Sequence, residues 1–302
     1  MRFLDLGHGF IRELHFDSGG HNLLVVWGDD LHKLGLKVVD LISTSIVREE
    51  SVKYGELALT LDLTTMVRVN MDLEQFPPLA FLEVHELGKK RLLQRLPMRI
   101  QHTCLAFSPD SQLLLVAGAN YSAEEPTYEV DRWLWHTVND LPPLTVPGQV
   151  VSMTMTRDRR LLVTGGNDNA VRFWRNDSGI LFDEWKHKAT VRRLLFSEDD
   201  RTLIAAAGCS VALWNVAQRR QRARLRPHRK QVNDIALSSD GRLLATASND
   251  GTVRLWDAAN ASELRTFNWN IGKVGAVAFS PDGLTMVAGG EFGQIVFWDV
   301  DS

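Results

Sequence analysis

Five tryptophans, Trp135, Trp174, Trp214, Trp256 and Trp298, stand 39, 40, 42 and 42 residues apart. Each closes a short alternating stretch: VDRWLW, AVRFW, SVALW, TVRLW and QIVFW. Alternation at period two is the pattern of a strand with one face in a core. Upstream of each lies a second apolar stretch, TCLAFSPD, VSMTMTRD, VRRLLFSED, VNDIALSSDG or VGAVAFSPDG. These read as strands ending in turns, where Pro fixes φ, Asp bonds back to the backbone and Gly accepts a positive φ. The run that follows, such as RLLATAS or LTMVAGG, returns as an antiparallel strand. A period near 40 with about four short strands per unit predicts the blade of a propeller, which buries its faces only against neighbouring blades.

The same template finds two weaker copies upstream. ELALTLDLTTMVRVNM followed by AFLEVHEL puts Val84 at the tryptophan position, and IRELHFDSGGHNLLVVW followed by LKVVDL puts Val39 there. The series 39, 84, 135, 174, 214, 256, 298 makes seven units. The seventh stops after its third strand, whereas the first is preceded by an unassigned strand, RFLDL. Pairing that strand into the last blade closes the ring without an exposed edge. The expectation is an all-β, seven-bladed propeller with four antiparallel strands per blade, one domain over residues 1–302, without an appended effector domain.

Bulk properties narrow the function. The net charge of −3 supplies no global basic field for nucleic acid or anionic membrane. Two distant cysteines, Cys104 and Cys209, argue against a disulfide framework or a zinc knuckle. The N-terminus MRFLDLGHGF has neither signal-peptide nor membrane-span character, so the expected address is cytoplasmic.

The repeats resemble the WD-repeat family, whose Trp-Asp pair stands here as Trp256-Asp257 and Trp298-Asp299, and whose Gly-His dipeptide stands as Gly7-His8. The resemblance is strong from about Thr103 to Ser302. It implies a buried hydrogen-bond tetrad in the sixth unit: His228 in the connection between blades, a second-strand hydroxyl, Asp250 in the next turn and Trp256 on the third strand. Thr246 or Ser248 supplies the hydroxyl, and the set is written His228, Ser248, Asp250 and Trp256. Such a set is self-satisfying inside a dry blade. Elsewhere it is incomplete. The fourth unit keeps Thr164, Asp168 and Trp174 without a histidine; the fifth keeps His187 and Trp214 without the Asp turn; the seventh has Trp298 and Glu291.

Two features break the repeat. From the end of strand one to the tryptophan position is 18 or 19 residues in units 4 to 7, but 23, 25 and 28 in units 1, 2 and 3. The surplus is expected in the loops joining strands two and three, GDDLHKLG, MDLEQFPPLA and ANYSAEEPTYEVD. The resemblance places such loops on the face that carries the Gly-His connections. They offer Asp29, Asp30, Asp72, Glu74, Glu124, Glu125 and Glu129, with Phe76, Tyr121 and Tyr128 among them. Aromatics beside carboxylates are the composition of a protein-binding patch with anchors and a steering field, whereas solvated, unconstrained loops are the plain alternative. The second feature is QRRQRARLRPHRK, which places Arg220, Arg222, Arg224 and Arg226 on one face of the outer strand of unit 5. Charge that protects an edge explains it, and a docking stripe for an acidic partner or nucleic acid is the sharper alternative.

Catalytic signatures are scarce: the sequence has no nucleophile elbow, phosphate loop or dinucleotide fingerprint. HELGK lacks the second histidine of a zinc-protease helix, and His102 with Cys104, two apart on a strand, would share a face. No cofactor or small-molecule substrate is expected. The reading is a non-catalytic scaffold or adaptor for partner proteins, basic ones or multi-subunit assemblies included. A propeller enzyme with a channel-mouth site and a nucleic-acid-associated factor using the unit 5 arginines are the alternatives.

Overall fold

The computed structural model describes residues 1–7, 9–28, 34–52, 57–60, 64–72, 79–87, 89, 91–98, 101–120, 125–137, 139–226 and 228–300. Among them are 28 strands and no helix. β1 (Arg2–Asp5) comes first. Blade 1 follows with β2 (Phe10–Phe16), β3 (Asn22–Gly28), β4 (Leu34–Asp40) and β5 (Ser45–Val52). Blade 2 has β6 (Leu57–Leu59), β7 (Thr65–Asp72), β8 (Leu79–Glu86) and β9 (Arg91–Pro97). Blade 3 has β10 (Gln101–Phe107), β11 (Leu113–Asn120), β12 (Thr127–Leu134) and β13 (Asn139–Val146). Blade 4 has β14 (Val150–Met155), β15 (Leu161–Gly166), β16 (Ala170–Arg175) and β17 (Leu181–Lys186). Blade 5 has β18 (Val191–Phe196), β19 (Thr202–Ala207), β20 (Ser210–Asn215) and β21 (Arg220–Leu225). Blade 6 has β22 (Val232–Leu237), β23 (Leu243–Ser248), β24 (Val253–Asp257) and β25 (Ser262–Phe267). Blade 7 has β26 (Val274–Phe279), β27 (Thr285–Gly290) and β28 (Gln294–Asp299).

Six blades are four-stranded meanders in chain order, and the seventh is β1-β28-β27-β26. The fold is therefore the expected seven-bladed β-propeller of antiparallel sheets. β1 completes the last blade with Arg2 opposite Phe297 and Leu4 opposite Ile295, as the strand count required.

The chain packs as two compact units, Met1–Lys53 with Leu195–Ser302, and Tyr54–Leu194. In the first, successive blades bury their faces against each other: Ile204 and Leu213 of blade 5 pack with Leu244 and Trp256 of blade 6. Leu255 of blade 6 packs with Met286 and Trp298 of blade 7, and Val287 and Ile295 of blade 7 with Ile11 and Leu23 of blade 1. The last contact is close enough that a Cβ on Gly289 would lie 2.3 Å from Ile11, so only glycine fits there. The second unit repeats the scheme, with Val67 and Val84 of blade 2 against Leu114 and Trp133 of blade 3, and Leu115 of blade 3 against Leu162 and Trp174 of blade 4.

The first hairpins of blades 3 to 7 are tied at their turns by the same Ser/Thr–x–Asp contact. Ser108, Thr156, Ser197, Ser238 and Ser280 each donate a hydroxyl to the Asp two residues on, at 2.5–2.7 Å. Second-to-third strand register corrects two assignments. Leu162, Leu203, Leu244 and Met286 face Trp174, Trp214, Trp256 and Trp298. In blade 2 the equivalent Met66 faces His85, not Val84. In blade 3 the equivalent Leu114 faces Trp133, not Trp135. Val84 is instead the fully buried residue before that position, where blade 5 has Leu213.

Candidate functional site

Blade 6 contains the implied tetrad, with one change. The Trp256 indole donates to Thr246 Oγ1 at 3.2 Å, Thr246 Oγ1 lies 2.8 Å from His228 Nε2, and His228 Nδ1 lies 3.0 Å from Asp250. One tautomer satisfies all of it: indole N–H to hydroxyl, hydroxyl to Nε2, Nδ1–H to carboxylate. The hydroxyl member is therefore Thr246 and not Ser248. Residues i and i+2 share a face, but Ser248 lies at the end of β23, next to the turn. Its Oγ donates to Gln231 O at 2.8 Å and accepts the Asp250 amide at 3.1 Å. Asp250 also accepts the Arg229 amide at 3.1 Å and the Thr252 hydroxyl at 2.6 Å. Burial holds the His228 imidazole below its ordinary pKa although the neighbouring Asp250 acts to raise it. The tetrad thus fixes the backbone of the 228–231 connection, atom by atom, to the β23–β24 turn.

The other blades show what the lost residues leave behind. In blade 4, Trp174 still donates to Thr164 at 3.0 Å, while Asp168 pairs with Arg172. In blade 7, Ala288 stands where Thr246 does, and the buried Trp298 Nε1 has no hydrogen-bond partner. Trp269 covers that indole at 4.3 Å between centroids and itself stacks on Phe267 at 5.3 Å, replacing the polar relay with aromatic packing. Glu291, at the Asp position, pairs with Lys273.

Blade 2 uses a different strut. Glu83 is buried on β8 and faces Arg68 of β7 and Arg95 of β9 across the two ladders. It accepts Arg68 Nη2 at 2.8 Å, Arg95 Nη2 at 3.0 Å and His85 Nε2 at 3.1 Å. Burial alone would raise this carboxyl, but the hydrogen bonds from His85, Arg68 and Arg95 hold it down at about 2. Nothing in the blade signature pointed to this cluster. Its residues lie in MVRVNM, FLEVHEL and RLLQRL, whose mutual registers are visible only after pairing.

The patch expected on blades 1 to 3 is partly described. Asp29, Asp30, Glu74, Phe76, Tyr121 and Glu124 lie outside the described residues, as does His8. Asp72 is the last residue of β7, opposite Leu79. Tyr128 and Glu129 are not loop residues: they lie on β12, opposite Ala119 and Gly118. The surplus length is shared between the connection and the strands. Strands two and three run seven or eight residues in blades 1 to 3 and five or six in blades 4 to 7. Glu125 is exposed, Tyr128 and Glu129 are half-buried, and Glu129 accepts Asn120 Nδ2 at 3.2 Å and Thr127 Oγ1 at 3.1 Å.

The arginine stripe does not hold together. A β-bulge between Leu213 and Trp214 makes Arg220 face Asn215 and Arg224 face Ala212, three residues apart and on opposite faces. Arg220 donates to Gln218, Arg222 to the Ala258 carbonyl and Arg224 to Ser210, while Arg226 lies beyond the strand. A similar bulge separates His102 from Cys104, which face Gly118 and Ala117, so their spacing no longer implies one face. Among the described residues no cluster of His, Cys, Asp and Glu is arranged to hold a metal, and no helix is long and apolar enough to cross a membrane.

Seven four-stranded blades and the tryptophan-centred tetrad of blade 6 are the arrangement that the resemblance to WD repeats implied. The family profile described as WD domain, G-beta repeat matches residues 142–175, 219–257 and 261–299, three stretches that make up less than half of the chain. It is similar to Target of rapamycin complex subunit wat1 of Schizosaccharomyces pombe, 38% identical over 97 residues, 31% of each chain. It is similar to Transducin beta-like protein 3 of Bos taurus, 27% identical over 187 residues, 56% of this chain and 21% of that one. Target of rapamycin complex subunit LST8 of Saccharomyces cerevisiae is 29% identical over 97 residues, 31% of this chain and 32% of that one. The matched stretches span about a third or less of these relatives' own length.

Proposed function

We propose that this protein is a non-catalytic cytoplasmic scaffold that holds partner proteins at the ends of its lengthened hairpins. The observation that supports this reading most is the hairpin of blade 3. Eight-residue strands β11 and β12 are paired out to Asn120 and Thr127, so Tyr128 and Glu129 are presented on a paired ribbon, with the exposed Glu125 two residues before its last pair. An aromatic side chain between carboxylates on a rigid ribbon fits a partner surface of basic character. Two relatives are named as subunits of a target of rapamycin complex, which supports assembly with other proteins as the kind of role.

The test is proximity cross-linking in native lysate with partners identified by mass, repeated with Glu125→Lys/Glu129→Lys. Loss of the same partners from a variant with an unchanged melting curve supports the hairpin. Unchanged capture by a folded variant removes it.

A further inference from the structure

We propose that the connection-bearing end of blades 6 and 7 is a docking surface for an acidic peptide segment with an apolar anchor. This site goes beyond the hairpin reading and does not depend on it.

Four pieces of chain meet there. The blade 6 connection carries Arg226, Arg229 and Lys230, all exposed. The Asn249–Thr252 turn lies beside it, tied by the Arg229 amide to Asp250 and by the Asn249 amide to Gln231 O at 3.0 Å. The blade 7 connection touches that turn closely: a Cβ on Gly251 would stand 3.2 Å from Gly272 O. The Glu291–Gly293 turn completes the surface, with the Phe292 ring packed over Gly272 and 59% exposed.

The charge on this surface is one-sided. Asp250 is committed to His228 and Thr252, and Glu291 to Lys273. Hydrogen bonds from Lys273, with the charges of Lys273 and Lys230, hold the Glu291 carboxyl below its ordinary range. Arg226, Arg229 and Lys230 form no ion pair among the described residues. In a chain of net charge −3, the connection thus carries three exposed cations without an ion pair among the described residues, on the same end of the two blades as the exposed Phe292 ring. Burying that ring against an apolar side chain while carboxylates meet the cations gives the apolar centre and charged rim of a peptide interface.

Preorganisation strengthens the case. Of the described blades, only blade 6 has the His-Thr-Asp-Trp relay complete, and it lies directly beneath the basic connection. Cations on a connection whose backbone is already fixed cost less ordering on binding. A nucleic-acid strand is the poorer fit. Its phosphates need a continuous track of cations, and here the Glu291 carboxylate, the residue before Phe292, already feels the charge of Lys230.

The test uses the full chain and a fluorescein-labelled octapeptide, Asp-Glu-Leu-Asp-Glu-Phe-Asp-Glu, followed by fluorescence anisotropy. Arg229→Glu/Lys230→Glu should weaken binding by about tenfold or more, and Phe292→Ala by roughly threefold to tenfold. Arg201→Glu/Arg242→Glu, an equal charge change on the exposed inner-hairpin turns, should leave binding unchanged, as should Glu125→Lys/Glu129→Lys. The proposal is overturned if the peptide does not bind the unaltered chain, or if both arginine-containing double variants weaken it equally. It is also overturned if single-stranded oligothymidine binds more tightly than the peptide and is lost with the same pair. Failure here leaves the hairpin of blade 3 untouched, because that site is scored by its own variant.

Discussion

Blades 6 and 2 solve one problem with opposite chemistry. Each must tie its middle strands to what lies beside them without leaving a buried polar group unpaired. Blade 6 uses a relay that begins at an indole, passes through a hydroxyl and an imidazole and ends at a carboxylate, so a connection outside the sheet is tied to the middle strands. Blade 2 has no tryptophan at that position and concentrates charge, with one carboxylate clamped by two arginines and His85. Its strut joins three adjacent strands but pins no connection. The relay therefore suits a blade that must present its outer end, and the ionic clamp suits one that must only hold itself together.

The largest effect is expected at Glu83. Glu83→Ala strands the side chains it neutralises and should cost about 3 kcal/mol, whereas Glu83→Gln, which keeps the shape and some hydrogen bonds, should cost less. Urea unfolding checks both. Trp256→Phe keeps most of the buried ring but removes the first donor of the relay, and should cost about 2 kcal/mol in the same assay.

Acid should separate the two blades without mutation. His228 has a depressed pKa in the fold, so below about pH 6.5 the unfolded chain takes up a proton that the native blade resists. Its stabilising contribution is present above that pH and is lost as pH falls. Glu83 has a depressed carboxyl, so its contribution is present above about pH 4.5 and is lost only as pH falls toward about 2. Hydrogen exchange compared at pH 7 and pH 5, corrected for intrinsic rates, should show loosening at 228–231 and none at β8. The smallest effect is a gain: Ala288→Ser would offer the Trp298 indole an acceptor and should stabilise blade 7 by about 0.5–1 kcal/mol.

Sequence carried the architecture further than the details of the site. Seven units and the closure by Arg2–Asp5 followed from tryptophan spacing and strand counts, because one period repeats the same burial pattern. What failed was register. Trp135 and Val84 were offset by two residues and one, since longer second and third strands in blades 2 and 3 shift the hairpin while the composition stays apolar. Thr246 and Ser248 share a face of β23, and only the reach of the Trp256 indole separates them. Arginines two apart read as a stripe until a bulge at Trp214 turned Arg220 away from Arg224. Bulges leave no mark in an alternating pattern, so that break in the stripe was not legible beforehand.

The blade 6 relay acts as one unit from Trp256 to His228, joined through Thr246. A double-mutant cycle of Trp256→Phe and His228→Ala measures this, and a coupling energy of about 1 kcal/mol or more is expected. Losses that add to within about 0.5 kcal/mol would mean that the two residues stabilise the blade separately, and would contradict it.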